Sequence, residues 1–262
     1  MTQEPSSWWV VTDLDGTLLD HHYDWSPAAE AIRWLQERRI PVIPCTSKTA
    51  EEVRRFRQDA GLSDPFIVEN GGAIHGQHPD GEEWEISLGP GWQELRPKLK
   101  EIEAKLGEPL LALDELSDAE GDRLLGLSGE ALRMAQRRRC SVPFVAPARS
   151  SRDRLIAMVQ EYRLTIVEGN RMAHLLGDGI SKGRALEALK QQQACGDVQV
   201  LGLGDSPNDL PLLEVADIAV VVPGMKGPHP KLIKGIEAGR FQLARAPHGH
   251  GWAESVLRLL PG

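Results

Sequence analysis

Residues 8–12, Trp-Trp-Val-Val-Thr, are aromatic, apolar or β-branched, and they run straight into Asp13-Leu14-Asp15-Gly16-Thr17. A short run of this kind, stopped by a turn signal, reads as a buried strand feeding a loop. It puts two carboxylates, two residues apart, at the tip of that strand. The rest of the chain must supply the strand's neighbours and the partners of those carboxylates.

The neighbours follow in order. Ser26-Pro27 opens a helix that runs to Arg39, with Ser26 as the N-cap and Pro27 at the first helical position. A strand is expected over 40–45, then Thr46-Ser47-Lys48-Thr49, a helix over 50–60 and a third strand at 65–68 ending in Glu69-Asn70-Gly71-Gly72. This alternation predicts an α/β fold with a parallel sheet. From about residue 85 the pattern changes. Helices are expected over 93–106, 117–138 and 151–162, with strands at 143–145 and 164–167. The alternation then resumes. A helix opens at Ser181-Lys182-Gly183, a strand over 198–203 ends in Gly204-Asp205-Ser206-Pro207-Asn208-Asp209, and a last strand covers 217–222. The 262 residues amount to about 1.7 domains at roughly 150 residues each. The middle block, 86–178, therefore reads as an α+β domain inserted into one α/β core made of 1–85 and 179–262.

Charge narrows the function. Thirty Lys and Arg against 38 Asp and Glu give a net charge of -8. General electrostatic binding of nucleic acid is disfavoured, and an anionic substrate needs locally placed cations. The three cysteines, Cys45, Cys140 and Cys195, form no Cys-x-x-Cys pair. That argues against a disulfide framework or structural zinc site and fits a reducing compartment. No run approaches a membrane span, so the expectation is a cytoplasmic protein with no membrane or nucleic-acid partner.

Three strand tips carry polar clusters: Asp13 and Asp15; Thr46, Ser47 and Lys48; Asp205, Asn208 and Asp209. In open α/β sheets, ligands sit outside the carboxyl ends of the strands. Four converging carboxylates repel unless a cation neutralises them, and hard oxygen ligands suit Mg²⁺. Of two carboxylates spaced two apart, one can attack phosphorus and the other can move the leaving-group proton. Gly16 permits the tight turn, and the Thr17 hydroxyl can reach a phosphate. An Asp-x-Asp-Gly run also serves as a plain turn after a strand; the second acidic cluster weighs against that reading. Lys182 is a phosphate-binding cation or an ordinary exposed lysine. Residues 69–72 present backbone N–H groups to an anion or simply turn the chain.

These residues resemble the haloacid dehalogenase superfamily of phosphatases. Residues 13–20 look like its first motif, Thr46 its second, Lys182 its third and residues 204–209 its fourth; the insertion resembles a C2-type cap. The match is closer still to the mannosyl-3-phosphoglycerate phosphatase family. It rests on Cys45-Thr46-Ser47-Lys48-Thr49, Glu69-Asn70-Gly71-Gly72-Ala73-Ile74, residues 202–211 and Gly249-His250-Gly251-Trp252. The resemblance implies a Rossmann-like core with Asp13 as nucleophile and Asp15 as general acid/base. Mg²⁺ would be held by Asp13, Asp15 through its carbonyl, and Asp205. Thr46, Ser47, Lys182 and Asn208 would bind the phosphate, with Thr17 and Asp209 in support. Lys48, Asn70, Gly71 and Gly72 would meet the substrate.

The cap departs from the family's Arg-x-Tyr-Ser-Glu-Pro-Phe segment. Here it reads Arg138-Arg139-Cys140-Ser141-Val142-Pro143-Phe144, with Cys140 and Val142 at the Tyr and Glu positions. Arg171-Met172-Ala173-His174 also resembles the family, and Arg171 and His174 are candidate substrate contacts. From Arg123 to Arg171 there are ten arginines and no lysine. Most would line solvated helix faces; Arg138 is the candidate for a carboxylate, since arginine suits bidentate anion binding. The implied activity is Mg²⁺-dependent hydrolysis of a glycosyl-3-phosphoglycerate, a small phosphorylated sugar-glycerate, through an aspartyl-phosphate. The alternatives are another sugar phosphatase, such as one for sucrose phosphate, and a phosphosugar mutase.

Overall fold

The computed structural model describes residues 8–78, 80–169, 171–193 and 197–261. Cys195 lies outside the described residues; Cys45 and Cys140 are buried free thiols. No helix among the described residues is long and apolar enough to cross a membrane.

In chain order the first stretch holds β1 (Trp8–Thr12), α1 (Ala29–Glu37), β2 (Val42–Pro44), α2 (Ala50–Ala60), β3 (Phe66–Val68), β4 (Ala73–Gln77) and β5 (Glu83–Ser87). The inserted block holds α3 (Trp92–Leu106), α4 (Asp118–Leu125), α5 (Gly129–Gln136), β6 (Val142–Phe144), α6 (Arg152–Glu161), β7 (Leu164–Glu168) and β8 (Ala173–Gly177). The chain returns through α7 (Lys182–Gln192), β9 (Gln199–Gly204), α8 (Leu210–Val215), β10 (Ile218–Val221), α9 (Pro230–Glu237), β11 (Gln242–Leu243) and α10 (His248–Leu259).

The core is a five-stranded, all-parallel sheet in the order β11-β10-β9-β1-β2. Val10 and Val11 are fully buried, as a strand covered on both faces requires. Register brings the tips together: Thr12 lies opposite Pro44 on one side and Leu203 on the other. The loops after β1, β2 and β9 thus leave the sheet side by side.

The structure departs from the sequence expectation at β3 and over 117–138, and it adds elements, among them the strand at 173–177 and α10, that the sequence had not assigned. β3 touches the parallel sheet through one bridge, Cys45 to Ile67, and otherwise pairs antiparallel with β4. Glu69, Asn70 and Gly71 all take positive φ and reverse the chain there. The helix expected over 117–138 is two helices, because Gly126 adopts φ +67° and caps α4. Residues 173–177 form the central strand of the cap sheet, β6-β8-β7. The Gly-His-Gly-Trp segment is the first turn of α10, whose Trp252 is fully buried and donates its indole N–H to Thr12 Oγ1 at 2.9 Å.

The cap has its own core, in which Leu95, Leu99 and Ile102 of α3 and Leu155 and Val159 of α6 cover Phe144 and Leu175 of its sheet. Val142 is fully buried within that cluster. At the position where the resembling family has glutamate, this chain uses the side chain for packing. β5 crosses the boundary expected at residue 86 and pairs with β4.

Candidate active site

Lys182 begins α7, where Ser181 caps the helix by accepting from the Arg184 N–H. Its ammonium, wholly buried, lies 2.7 Å from Asp13 Oδ1 and 2.5 Å from Asp209 Oδ1. The other oxygen of Asp209 accepts the N–H groups of Asp205 and Ser206, both at 2.9 Å. Asp209 thereby shapes the loop after β9, and Thr17 donates to Asp205 Oδ1 at 3.2 Å. Gly16 sits at φ +85°, and a Cβ there would lie 2.6 Å from Asp205 Oδ2. Only glycine lets the two acidic loops meet.

Burial pushes Asp13 up to about 7, with Asp209 and Asp15 adding to the effect and Lys182 opposing it. Burial also works against the charge on Lys182, but Asp13 and Asp209 outweigh it and hold the ammonium above the usual lysine range. Oxygens of Asp13, Asp205 and Asp209 lie within 4.8 Å of one another. These hard donors fit a divalent cation such as Mg²⁺. Since both oxygens of Asp209 are engaged, it acts as the support of that group.

Asp15 is handled separately. Its Oδ2 lies 3.0 Å from Lys48 Nζ, which also lies 3.6 Å from Glu52 and 4.6 Å from the centre of the Tyr23 ring. Burial opposes the charge on Lys48, but Asp15 and Glu52 hold it above the lysine range. Glu52 is aimed by a capping box, since its carboxylate accepts from Thr49 N–H at 2.9 Å and Thr49 caps α2.

These groups face a cavity of about 440 Å³. The core contributes Asp13, Asp15, Ser47, Lys48, Asp205 and Asn208 to its wall. The cap contributes Arg138, Arg171 and His174 beside an apolar face of Leu113, Leu125, Leu127, Ala135 and Met172. Arg138 donates through Nε to the Ala135 carbonyl at 2.7 Å and through Nη1 to the Ser47 carbonyl, so it bridges cap and core. Arg171 is exposed and donates to the Leu125 carbonyl. Burial, with Arg138 and Lys182 nearby, pushes His174 down to about 3, so it is neutral near pH 7.

The remaining expected residues stand behind this wall. Thr46 is fully buried, and its carbonyl accepts the Asn70 N–H. Asn70 Oδ1 accepts from Asn208 Nδ2 at 3.0 Å. A Cβ on Gly71 would lie 2.2 Å from the Ser181 carbonyl, and one on Gly72 would lie 2.5 Å from Cys140 Cβ. Both glycines therefore serve close packing between segments. Asn70 and Lys182 line a second cavity of about 520 Å³, which contains neither Asp13 nor Asp15.

Sequence reasoning missed Glu69, Glu52, Tyr23 and His248. Glu69 is buried, and its carboxylate accepts from Arg139 N–H at 2.9 Å, Cys140 N–H at 3.1 Å and Ser141 Oγ at 2.7 Å. It fastens the segment entering β6 to the core. A glutamate opening a turn of Asn-Gly-Gly was the available signal, but it was read only for its backbone.

Residues 10–86 and 151–224 match the family model described as haloacid dehalogenase-like hydrolase. A glucosyl-3-phosphoglycerate/mannosyl-3-phosphoglycerate phosphatase of Persephonella marina is 30% identical over 96% of this chain and 96% of its own. A protein of the same description from Methanococcoides burtonii is 32% identical over 96% of both chains. Among solved structures, a haloacid dehalogenase-like hydrolase from B. subtilis superposes with a TM-score of 0.70 at 19% identity, covering 96% of this chain and 99% of that one.

Proposed function

The chain belongs to the haloacid dehalogenase-like hydrolases, and from that premise we propose that it is a Mg²⁺-dependent phosphatase of glycosyl-3-phosphoglycerates of the glucosyl or mannosyl type. The observation that supports this reading is that Asp13 and Asp15 are paired with different cations. Asp13 is held against the buried Lys182, whereas Asp15 is paired with Lys48 on the cavity wall. Such separate pairing suits a scheme in which one carboxylate attacks and the other transfers a proton.

In this reading an Asp13 oxygen attacks phosphorus, and the bond from phosphorus to the glycerate oxygen breaks. Asp15 gives that oxygen its proton. The product of the first step is an aspartyl-phosphate on Asp13 and a free glycosylglycerate. Asp15, now the base, takes a proton from water as the water oxygen attacks phosphorus, and phosphate leaves Asp13 as the free carboxylate. Lys182 balances charge on Asp13 and on the phosphoryl oxygens, with Ser47 and Asn208 beside them. Mg²⁺ held by Asp13, Asp205 and the Asp15 carbonyl would neutralise developing charge on the phosphoryl group. Lys48 and Arg138 are the cations placed for the glycerate carboxylate, and the cap keeps water out during the first step.

Phosphate release tests this reading. Purified protein should release phosphate from glucosyl- or mannosyl-3-phosphoglycerate with Mg²⁺, stop on chelation and recover on readdition. Full activity in excess chelator would remove the metal from the scheme. Faster turnover of sucrose phosphate would move the substrate to another sugar, and a need for a bisphosphate activator would indicate a mutase.

A further inference from the structure

His248 is held in place at some cost. It opens α10 with φ +49°, a left-handed conformation that is strained for a non-glycine residue. Its side chain is nevertheless only 7% exposed. Nδ1 lies 2.9 Å from the carbonyl of Gly16, inside the loop that carries Asp13 and Asp15. A carbonyl only accepts, so Nδ1 bears the hydrogen, and in the neutral ring Nε2 is left as an acceptor. The His21 ring stands edge-on to the imidazole, 5.0 Å away between centroids.

That acceptor has a purpose to find. Among the described residues Nε2 is buried without a hydrogen-bond partner, and His248 lines the cavity that holds Asp13 and Asp15. A buried acceptor left unpaired is costly, and native structures contain few. Asp15 Oδ1 and His174 Nδ1, also lining this cavity, are likewise without partners among the described residues. With the ring neutral, ionised phosphate and carboxylate oxygens cannot satisfy Nε2, because they only accept. An alcohol can.

We propose that His248 is a binding residue for the leaving group, its Nε2 accepting a hydrogen bond from a hydroxyl of the glycosylglycerate portion of the substrate. This deepens the phosphatase reading and rests on it. The Gly16 contact then ties recognition of the leaving group to the loop that positions both catalytic carboxylates.

Asparagine at 248 tolerates the left-handed backbone and keeps a donor near the Nδ1 position, but it has nothing at Nε2. His248→Asn should lower kcat/KM for the glycosyl-phosphoglycerate about 5- to 30-fold, mainly through KM. The loss on p-nitrophenyl phosphate, which brings no hydroxyl to the site, should be at least about 5-fold smaller. Equal losses on the two substrates would overturn the proposal and leave His248 a structural role. A second measurement needs no active variant. In wild-type protein labelled with ¹⁵N-histidine, the Nε2 resonance absent from His248→Asn should shift on titration with glycosylglycerate; an unmoved resonance at saturation refutes the contact. If the wild type turns over no glycosyl-phosphoglycerate, it is the substrate reading that fails. His248 is then tested in the same way with the best hydroxylated phosphomonoester of the panel and its dephosphorylated product.

Discussion

The two walls of the cavity are built on opposite plans. On the core wall and directly behind it charge meets charge: buried Lys182 binds Asp13 and Asp209, Asp209 binds two backbone amides, and Lys48 binds Asp15 and Glu52. On the cap wall most of the surface is aliphatic, and its two arginines donate to backbone carbonyls. The difference teaches what each wall is for. A preorganised set of charges stabilises a transition state without having to reorganise. An apolar wall with a few directed polar groups fits a ligand by shape and leaves the chemistry to the opposite side.

The sharpest way to break this comparison is at Asp13. Asp13→Asn cannot form an acyl-phosphate, and kcat should fall by at least ~10³-fold in a phosphate-release assay. Wild-type rates would place the nucleophile elsewhere. Next is Lys182→Met, which leaves Asp13 and Asp209 buried without their cation. Urea unfolding should show a loss of about 3–5 kcal/mol, and adding Asp209→Asn should restore part of it. No loss would mean that the core wall is not held by charge.

On the cap side, Arg138→Ala should lower kcat/KM for the glycosyl-phosphoglycerate by about 10- to 150-fold, corresponding to about 1.5–3 kcal/mol for a hydrogen bond to a charged group. The loss on an aryl phosphate without a carboxylate should be much smaller. An equal loss on both substrates would show that Arg138 acts through the Ser47 carbonyl, as part of the core. The smallest effect is in pH dependence. His174 is pushed down to about 3 by burial, so the folded state resists a proton that the unfolded state accepts near 6.5. Its stabilising effect is whole above that value and is lost as pH falls toward 3. At pH 5 the cost is about 2 kcal/mol. Comparing urea midpoints of wild type and His174→Asn at pH 7 and pH 5 isolates it, because the opposite contribution of Asp13 is common to both. Parallel pH dependence in the two proteins would mean that His174 is protonated in the fold.

Much of the site was legible because it is local. Asp13 and Asp15 are two residues apart, and Asp205, Asn208 and Asp209 share one turn; each group follows an apolar run that must be a strand. The parallel order of β1, β2 and β9 follows from the helices between them. β3 misled because its reversal depends on consecutive left-handed residues, two of them not glycine. α10 was hidden by a start of His-Gly-His-Gly, a poor helix-forming sequence that is held by burial of Trp252 and Val256.

The amino-acid sequence by itself determined the α/β core, the interrupted alternation that marks an inserted cap, and the acidic strand tips. Each is a pattern within a few residues, governed by periodicity, turn chemistry and strand length. Only the tertiary structure decided which cation serves which carboxylate, that Glu69 fastens the segment at 139–141, that Val142 belongs to the cap core, and that His248 reaches Gly16, 232 positions away in the chain. Those pairings join distant segments. They depend on sheet register and on how the two domains meet, and no local preference of the chain encodes either.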